Sequence, residues 1–279
     1  MKKELINKIH HIDCLELMRK LPDNCIDMMI TSPPYADRRK STYGGISQDK
    51  YNMWFIEIAK EVKRILKPKG SFFLNIKAHA ENGERTLYVM ELVILLKKEV
   101  GFNFIDELCW VKNGFPGDLR GRFKNAYEPI YHFSKSRASE IIFIPNSCST
   151  PMKVASLKRA KRKHCVSTKN GSGMGGAAAS STMKKIKNAR PSNVIQINNI
   201  LNQYSDNVWH PAVYPVRLVD FFIRSFTHKG DIVMDPFMGS GTTAVSAKKL
   251  QRNFIGSELK KDYIDLSNKR LENTQGELF

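Results

Sequence analysis

The chain is short of acid, and over one stretch it has none. Between Glu140 and Asp206 there is no aspartate or glutamate, while eleven lysines and arginines fall there. Across all 279 residues, 45 Lys and Arg stand against 27 Asp and Glu, a formal net charge of +18. A field of one sign favours a polyanionic partner, nucleic acid above all, through phosphate attraction and counterion release. Bulk charge alone leaves a basic, non-binding surface open. Paired cysteines are also missing. Cys14, Cys25, Cys109, Cys148 and Cys165 are odd in number and form no CxxC, which argues against a disulfide framework or a zinc site and predicts reduced thiols. No apolar run is long enough to span a bilayer, and Met1-Lys2-Lys3 leads into a mixed segment without an apolar h-region. A soluble, cytoplasmic chain without a membrane partner is expected. His10-His11 beside Asp13 lacks the ligand cluster that a metal requires, so no metal is expected.

What is present falls into three textures: residues 1–144, 145–206 and 207–279. In the first, short apolar runs alternate with amphipathic segments. Residues 26–31 read as a strand that stops at Ser32-Pro33-Pro34. Trp54, Ile58, Val62 and Ile65 predict a helix over 54–67, punctuated by Pro68 and Gly70. A strand over 71–76, a helix over 86–98 and strands over 104–111 and 129–133 follow. The middle stretch holds Gly171–Gly176 and Ala177–Ser181 between basic clusters at Lys158–Lys163 and Lys184–Arg190. It cannot bury a core of its own, so part of it is expected to be mobile without a partner, an inert linker being the alternative. From 207 the first texture resumes: a helix with Pro215 in its first turn, a strand over 232–234, a glycine-rich turn, a helix over 243–250, a strand over 253–256 and a helix over 262–271. Strands alternating with helices predict an α/β fold with a parallel-type sheet covered on both faces.

Two strand ends carry the chemistry. In the first, the strand at 232–234 runs into Asp235-Pro236-Phe237-Met238-Gly239-Ser240-Gly241-Thr242-Thr243, where glycines permit positive φ and close approach of a ligand to the backbone. Glu258, at the end of the next strand, lies where a βαβ unit places an acid on ribose hydroxyls. A glycine-rich turn by itself also fits a dinucleotide fold or a plain tight turn. Asp235 at the strand tip would repel a pyrophosphate and suits a cationic amino-acid group. In the second, Thr31-Ser32-Pro33-Pro34-Tyr35, two prolines fix the backbone so that carbonyls point rigidly. Ser32 adds a hydroxyl and Tyr35 a stacking face. Such a set suits a planar base taken out of its helix, although Pro-Pro after a strand also fits a simple chain break.

Together, Thr31-Ser-Pro-Pro-Tyr35 and Asp235-Pro-Phe-Met-Gly-Ser-Gly-Thr-Thr243 resemble the amino-methylating (N4-cytosine/N6-adenine) DNA methyltransferases of the permuted β group, of restriction-modification type. Asp13-Cys14-Leu15, Leu66-Lys-Pro-Lys-Gly70, Ser71-Phe-Phe-Leu-Asn75, Trp110-Val-Lys112 and His210-Pro-Ala-Val-Tyr-Pro215 follow in family order. The resemblance implies a Rossmann-like, S-adenosylmethionine-dependent methyltransferase fold, circularly permuted. Residues 1–144 and 207–279 would be its base-pocket and cofactor halves, and 145–206 an inserted target-recognition region. S-adenosyl-L-methionine is the implied donor. Asp235, Pro236, Phe237, Gly239, Ser240, Gly241, Thr242 and Thr243 would cradle its methionine portion with Thr31 nearby, Glu258 would hold the ribose, and Asp13 would meet the adenine amino group. The match departs mildly at Gly256-Ser257, where an apolar residue often precedes the acid, and at Tyr214, where Phe is frequent.

The implied pocket residues are Ser32, Pro33, Pro34 and Tyr35. Hydrogen bonds from the exocyclic amine to Ser32 Oγ and the Pro33 carbonyl would free its lone pair for in-line transfer. A serine at this first position goes mostly with N4 of cytosine in the family, so that base is expected, with N6 of adenine as the alternative. A ribosomal RNA or protein-glutamine substrate, and a non-catalytic cofactor-binding DNA module, are the rival readings. Duplex DNA is the expected partner, reached by Arg38, Arg39 and Lys40 as a lid, by Arg120 and Arg122, and by Lys158, Arg159, Lys161, Arg162 and Lys163. A cognate restriction endonuclease would act separately, and a monomer or weak homodimer is expected.

Overall fold

The strand Ile26–Thr31 is buried along its whole length, as a strand covered on both faces must be. The computed structural model describes residues 3–37, 45–112, 121, 123–151, 188–198 and 215–276. Among these, eight strands form one sheet: β1 Lys8–His11, β2 Ile26–Thr31, β3 Leu66–Asn75, β4 Asn103–Val111, β5 Tyr127–Ser134, β6 Val194–Gln196, β7 Ile232–Asp235 and β8 Asn253–Glu258. Their order is β1-β8-β7-β2-β3-β5-β4-β6. Pairing is parallel from β1 through β3 and between β4 and β6. The expected parallel sheet is therefore corrected at β5, which runs antiparallel to both β3 and β4. Consecutive antiparallel strands need no crossover helix, and none is described between Val111 and Tyr127.

Helices α1 (Cys14–Arg19), α2 (Gln48–Ile65) and α3 (Tyr88–Lys98) pack one face, with α4 (Val216–Phe226), α5 (Thr242–Lys249) and α6 (Lys261–Glu272) on the other. Strand alternation feeds both cores. Met29, Phe72 and Met234 join Leu17, Phe55 and Leu92, while Met28, Phe73 and Val233 join Phe222, Ala244 and Ile264.

Two local readings change. Helix α2 starts at Gln48, six residues before Trp54, because Tyr51 continues its buried stripe. Pro68 does not end anything. It sits where the β2–β3 register jumps from Ile26↔Leu66 to Met28↔Ser71, in an irregularity that tolerates a missing donor. Gly70 is required there, since a Cβ would lie 2.7 Å from Asp27 O.

The chain divides into two compact units, Met1–Phe143 with Asn193–Phe279, and Ile144–Ser192. The first returns to its sheet at β6, earlier than residue 207. Described residues of the second form a short turn at Pro145–Ser147 and a two-residue antiparallel ladder, Thr150–Pro151 with Asn188–Ala189. The glycine-rich stretch 171–176, the cluster Lys158–Lys163 and residues 184–187 lie outside the described residues, whereas Arg190 lies within them.

From β7 the chain crosses through α5 to β8 on one side; from β2 it crosses through α2 to β3 on the other. The carboxyl ends of β7 and β2 are therefore adjacent at a topological switch point, where open α/β sheets bind ligands.

Candidate active site

Asp235 ends β7 and Thr31 ends β2. The Thr31 hydroxyl donates to Asp235 Oδ1 at 2.6 Å, joined there by Phe237 N at 3.0 Å, and the Thr243 hydroxyl donates to Oδ2 at 2.8 Å. Asp235 is 1% exposed. Expected to face a cationic amino-acid group, the carboxylate is met here by the chain's own donors, which shape the turn from within. Thr31, expected beside the cofactor, is engaged with that carboxylate.

The rest of the turn is fastened from behind. Ser257 Oγ donates to Pro236 O at 2.6 Å, and Met238 N to Ser257 O at 3.0 Å. Arg270 of α6 donates to Ser240 O, to Ser240 Oγ at 3.1 Å and to Thr242 Oγ1 at 3.3 Å. Ser240 and Thr242, expected as cofactor contacts, are tied by these bonds to α6. Gly239 and Gly241 do take positive φ, 54° and 78°. A Cβ on Gly241 would lie 2.7 Å from Ser267 Cβ, so that glycine admits the close approach of α6. Gly256, two residues before the acid, leaves room for Met238, whose Cε would lie 2.3 Å from a Cβ there. Phe237 reaches across to Trp54 of α2, with ring centroids 5.8 Å apart.

Glu258 is 7% exposed at the end of β8. Its Oε2 accepts from Gly239 N at 2.9 Å, and its Oε1 from Leu259 N and Lys260 N at 2.9 and 2.8 Å. Burial pushes its carboxyl above the usual range; the three N–H bonds oppose this, and nearby Asp235 adds to it. In the β1–β8 register, His11 pairs with Glu258, which places Asp13 two residues further along the same rim. Asp13 caps α1, its Oδ1 accepting from Leu15 N at 2.8 Å and Glu16 N at 3.3 Å.

On the β2 side, Pro33 is buried while Ser32, Pro34 and Tyr35 are half-buried. The Pro34 carbonyl accepts from Tyr51 OH at 2.8 Å. Burial pushes the Tyr51 phenol well above its ordinary range, with Tyr88 and Tyr35 adding to the effect, so the hydroxyl stays a donor. Sequence reasoning missed Tyr51; the available signal is a polar-tipped aromatic on an apolar helix face. Among the described residues, no hydrogen bond engages Ser32 Oγ or the Pro33 carbonyl. Arg38, Arg39, Lys40, Arg120, Arg122, Lys158, Arg159, Lys161, Arg162 and Lys163 lie outside the described residues, as do residues 210–214.

The opposite rim of the sheet carries an open groove of about 420 Å³ between Asn24, Lys63, Arg64 and Lys135. Its cations are spoken for: Lys63 donates to Val100 O, Lys135 to Asn24 Oδ1, and Arg64 to Asp23 and Glu61. Among the described residues, no helix is long and apolar enough to cross a membrane, and no group of three or more His, Cys, Asp or Glu could hold a metal ion.

Comparison with known proteins agrees with this geometry. The DNA methylase family model for N6 and N4 enzymes matches residues 26–269. The chain is 32% identical over 274 residues to the Type II methyltransferase M.PvuII of Proteus hauseri, covering 91% of this chain and 80% of that protein. It is 28% identical over 276 residues to the orphan methyltransferase M.BamHII of Bacillus amyloliquefaciens, covering 92% of each. Among solved structures, the PvuII DNA methyltransferase (cytosine-N4-specific) superimposes with a TM-score of 0.71 at 27% identity, over 94% of this chain and 85% of that one. The M1.HpyAVI–SAM complex shares the fold, with a TM-score of 0.58 at 24% identity over 95% and 98% of the two chains. With that match over most of its length and β2 lying beside β7 in the sheet, the chain belongs to the N6/N4 DNA methylase family.

Proposed function

We propose that the chain transfers a methyl group from S-adenosyl-L-methionine to N4 of a cytosine extruded from duplex DNA. The observation that carries this reading is the pair of acceptors left for a ligand, Ser32 Oγ and the Pro33 carbonyl, at the strand end next to the Asp235 turn. The donor set fits the cofactor. Glu258 offers a buried carboxylate with acceptor capacity on Oε2 beyond its one N–H bond, suited to ribose hydroxyls. Asp13, along the same rim, suits the adenine amino group. The turn from Pro236 to Gly239 and the Phe237 ring would hold the remainder.

When bound, the cofactor supplies an electrophilic methyl group. The chain's part concerns the amine, whose lone pair is delocalised into the base. Ser32 Oγ and the Pro33 carbonyl would accept hydrogen bonds from its two N–H groups and draw the nitrogen toward tetrahedral geometry. Because β2 and the two prolines fix these acceptors beforehand, little reorganisation accompanies reaction. The Tyr51 bond to the Pro34 carbonyl holds the turn from behind, and Tyr35 offers its ring to the extruded base. Residues 145–206, with Arg38, Arg39, Lys40, Arg120 and Arg122, are proposed to contact duplex DNA, and a separate restriction endonuclease is the proposed biological counterpart.

Serine at position 32 and the likeness to a structure titled cytosine-N4-specific support cytosine over adenine. Nucleoside mass spectrometry of DNA from an expressing host tests it: N4-methylcytosine is expected, and N6-methyladenine alone would transfer the reading to adenine.

A further inference from the structure

One buried cation on the pocket rim is left unexplained by the reading above. Lys77 follows the end of β3, the strand that runs beside Thr31 with Leu74 opposite it. Ser32 is therefore level with Asn75, and Lys77 lies two residues beyond. On its other side β3 pairs with β5, Asn75 opposite Ile130. Lys77 thus stands between the base pocket and the start of β5, which lies two strand spacings, roughly 10 Å, from β2.

Lys77 is 9% exposed. Its Nζ donates to Asn125 Oδ1 and Tyr127 O, and lies 4.5 Å from the centroid of the Tyr127 ring. Among the described residues it has no carboxylate partner within ion-pair distance. Burying an ammonium without a counter-ion is costly, and an apolar side chain would fill the space more cheaply. What the charge accomplishes is a tie between β3 and residues 125–127. Asn75 Nδ2 to Pro129 O at 3.0 Å and Lys112 N to Ala126 O at 2.9 Å extend that tie on either side. The segment so held faces outward: Tyr127 is 49% exposed and Phe123 fully exposed. Exposed aromatics at the mouth of a base pocket are what unstacked nucleobases pack against.

We infer that Lys77 is a positioning residue, holding the chain from Asn125 to Tyr127 as a second, DNA-contacting wall of the base pocket. The inference rests on the methyltransferase reading. The clamp acts through its charge, and burial foremost brings that ammonium down to about 8, with Arg85 and Lys112 pushing the same way and Glu128 and Cys109 opposing. The Tyr127 ring also lies in contact. As pH rises through about 8, the ammonium gives up its proton and the clamp loses its charge.

The test measures methylation of unmethylated plasmid DNA by the full-length protein, with cofactor affinity by calorimetry. Lys77→Met should raise the KM for plasmid about tenfold, leave the cofactor Kd within twofold, and abolish a rise in wild-type KM above pH 8. Lys77→Arg should restore most of the affinity. Asn125→Ala removes an acceptor from an exposed residue, so it answers the question even if Lys77→Met does not fold; it should shift KM in the same direction. The Lys77→Met/Asn125→Ala double variant should be no worse than Lys77→Met. Wild-type KM in Asn125→Ala, or additive losses in the double variant, would overturn the clamp. Failure of the wild-type protein to methylate plasmid would instead overturn the activity on which it rests.

Discussion

Thr31 and Asp235, 204 residues apart in sequence, are joined by a 2.6 Å hydrogen bond at the point where the sheet's connections reverse direction. The bond couples β2, which runs on into Ser32-Pro33-Pro34, to β7, which runs on into the Pro236–Gly241 turn. A buried hydrogen bond to a charged acceptor contributes about 1.5–3 kcal/mol. Thr31→Val should therefore lower stability to urea by about that amount and weaken S-adenosyl-L-methionine binding, whereas Thr31→Ser should preserve both. Equal stability of the Val and Ser variants would mean that Asp235 is held without it.

Ser32 makes a different prediction, because its hydroxyl is engaged by nothing among the described residues. Ser32→Ala removes an acceptor needed when the amine changes shape, and should lower kcat on the order of 10²-fold. Cofactor Kd should stay within twofold, since the acceptor faces the base. Parallel losses in kcat and in cofactor affinity would reassign Ser32 to holding the fold.

How much of this could be read beforehand differs between neighbouring residues. The end of β2 was legible because two prolines cannot continue a ladder, and the Asp235 turn because its glycines follow an apolar strand. The partners of those residues were not. Nothing local in Thr31 or Asp235 announces a contact across 204 positions. Around Ser240, Gly241 and Thr242 the motif is visible in sequence, but α6 lying behind it, with Ser267 and Arg270, is not. Pro68 read as a break because a register irregularity between β2 and β3 leaves no mark in the residues themselves. The strand β6 was missed inside a polar stretch, being three residues long and recruited by the edge of β4 rather than by its own pattern.

His132 gives a pH dependence. It is buried on β5, its Nε2 3.0 Å from Ser71 Oγ and its ring stacked on Phe73 with centroids 4.3 Å apart. Burial pushes its imidazole down to about 3, against about 6.5 in an unfolded chain. Between those values the unfolded chain binds a proton that the folded one does not, so stability falls as pH drops through that window, by at most about 1.4 kcal/mol per pH unit. Above pH 6.5 the contribution is complete and constant. Urea midpoints measured from pH 7 to pH 4 should converge for wild type and His132→Asn as the pH falls. Curves that stay parallel would show that His132 is protonated in the folded state.

Gly256 and Met238 share one space at the cofactor turn, and the sharing can be measured. A Cβ at residue 256 would meet Met238 Cε at 2.3 Å, Cγ at 3.1 Å and Cβ at 3.2 Å. The methyl end can swing away, but Cγ and Cβ are fixed by the turn that Ser257 and Arg270 hold. Gly256→Ala should therefore cost about 1–3 kcal/mol through overpacking, and should weaken cofactor binding because Met238 lies in the turn itself. Met238→Ala leaves a cavity and is destabilising for the opposite reason. Combined, the new methyl partly fills the space that the methionine vacates, so the double variant should lose less than the two single losses added together, by about 1 kcal/mol or more. Urea denaturation of the four proteins reads this coupling directly. Strict additivity would mean that the two residues do not compete for the same volume, and that some other constraint keeps a glycine at the approach to Glu258.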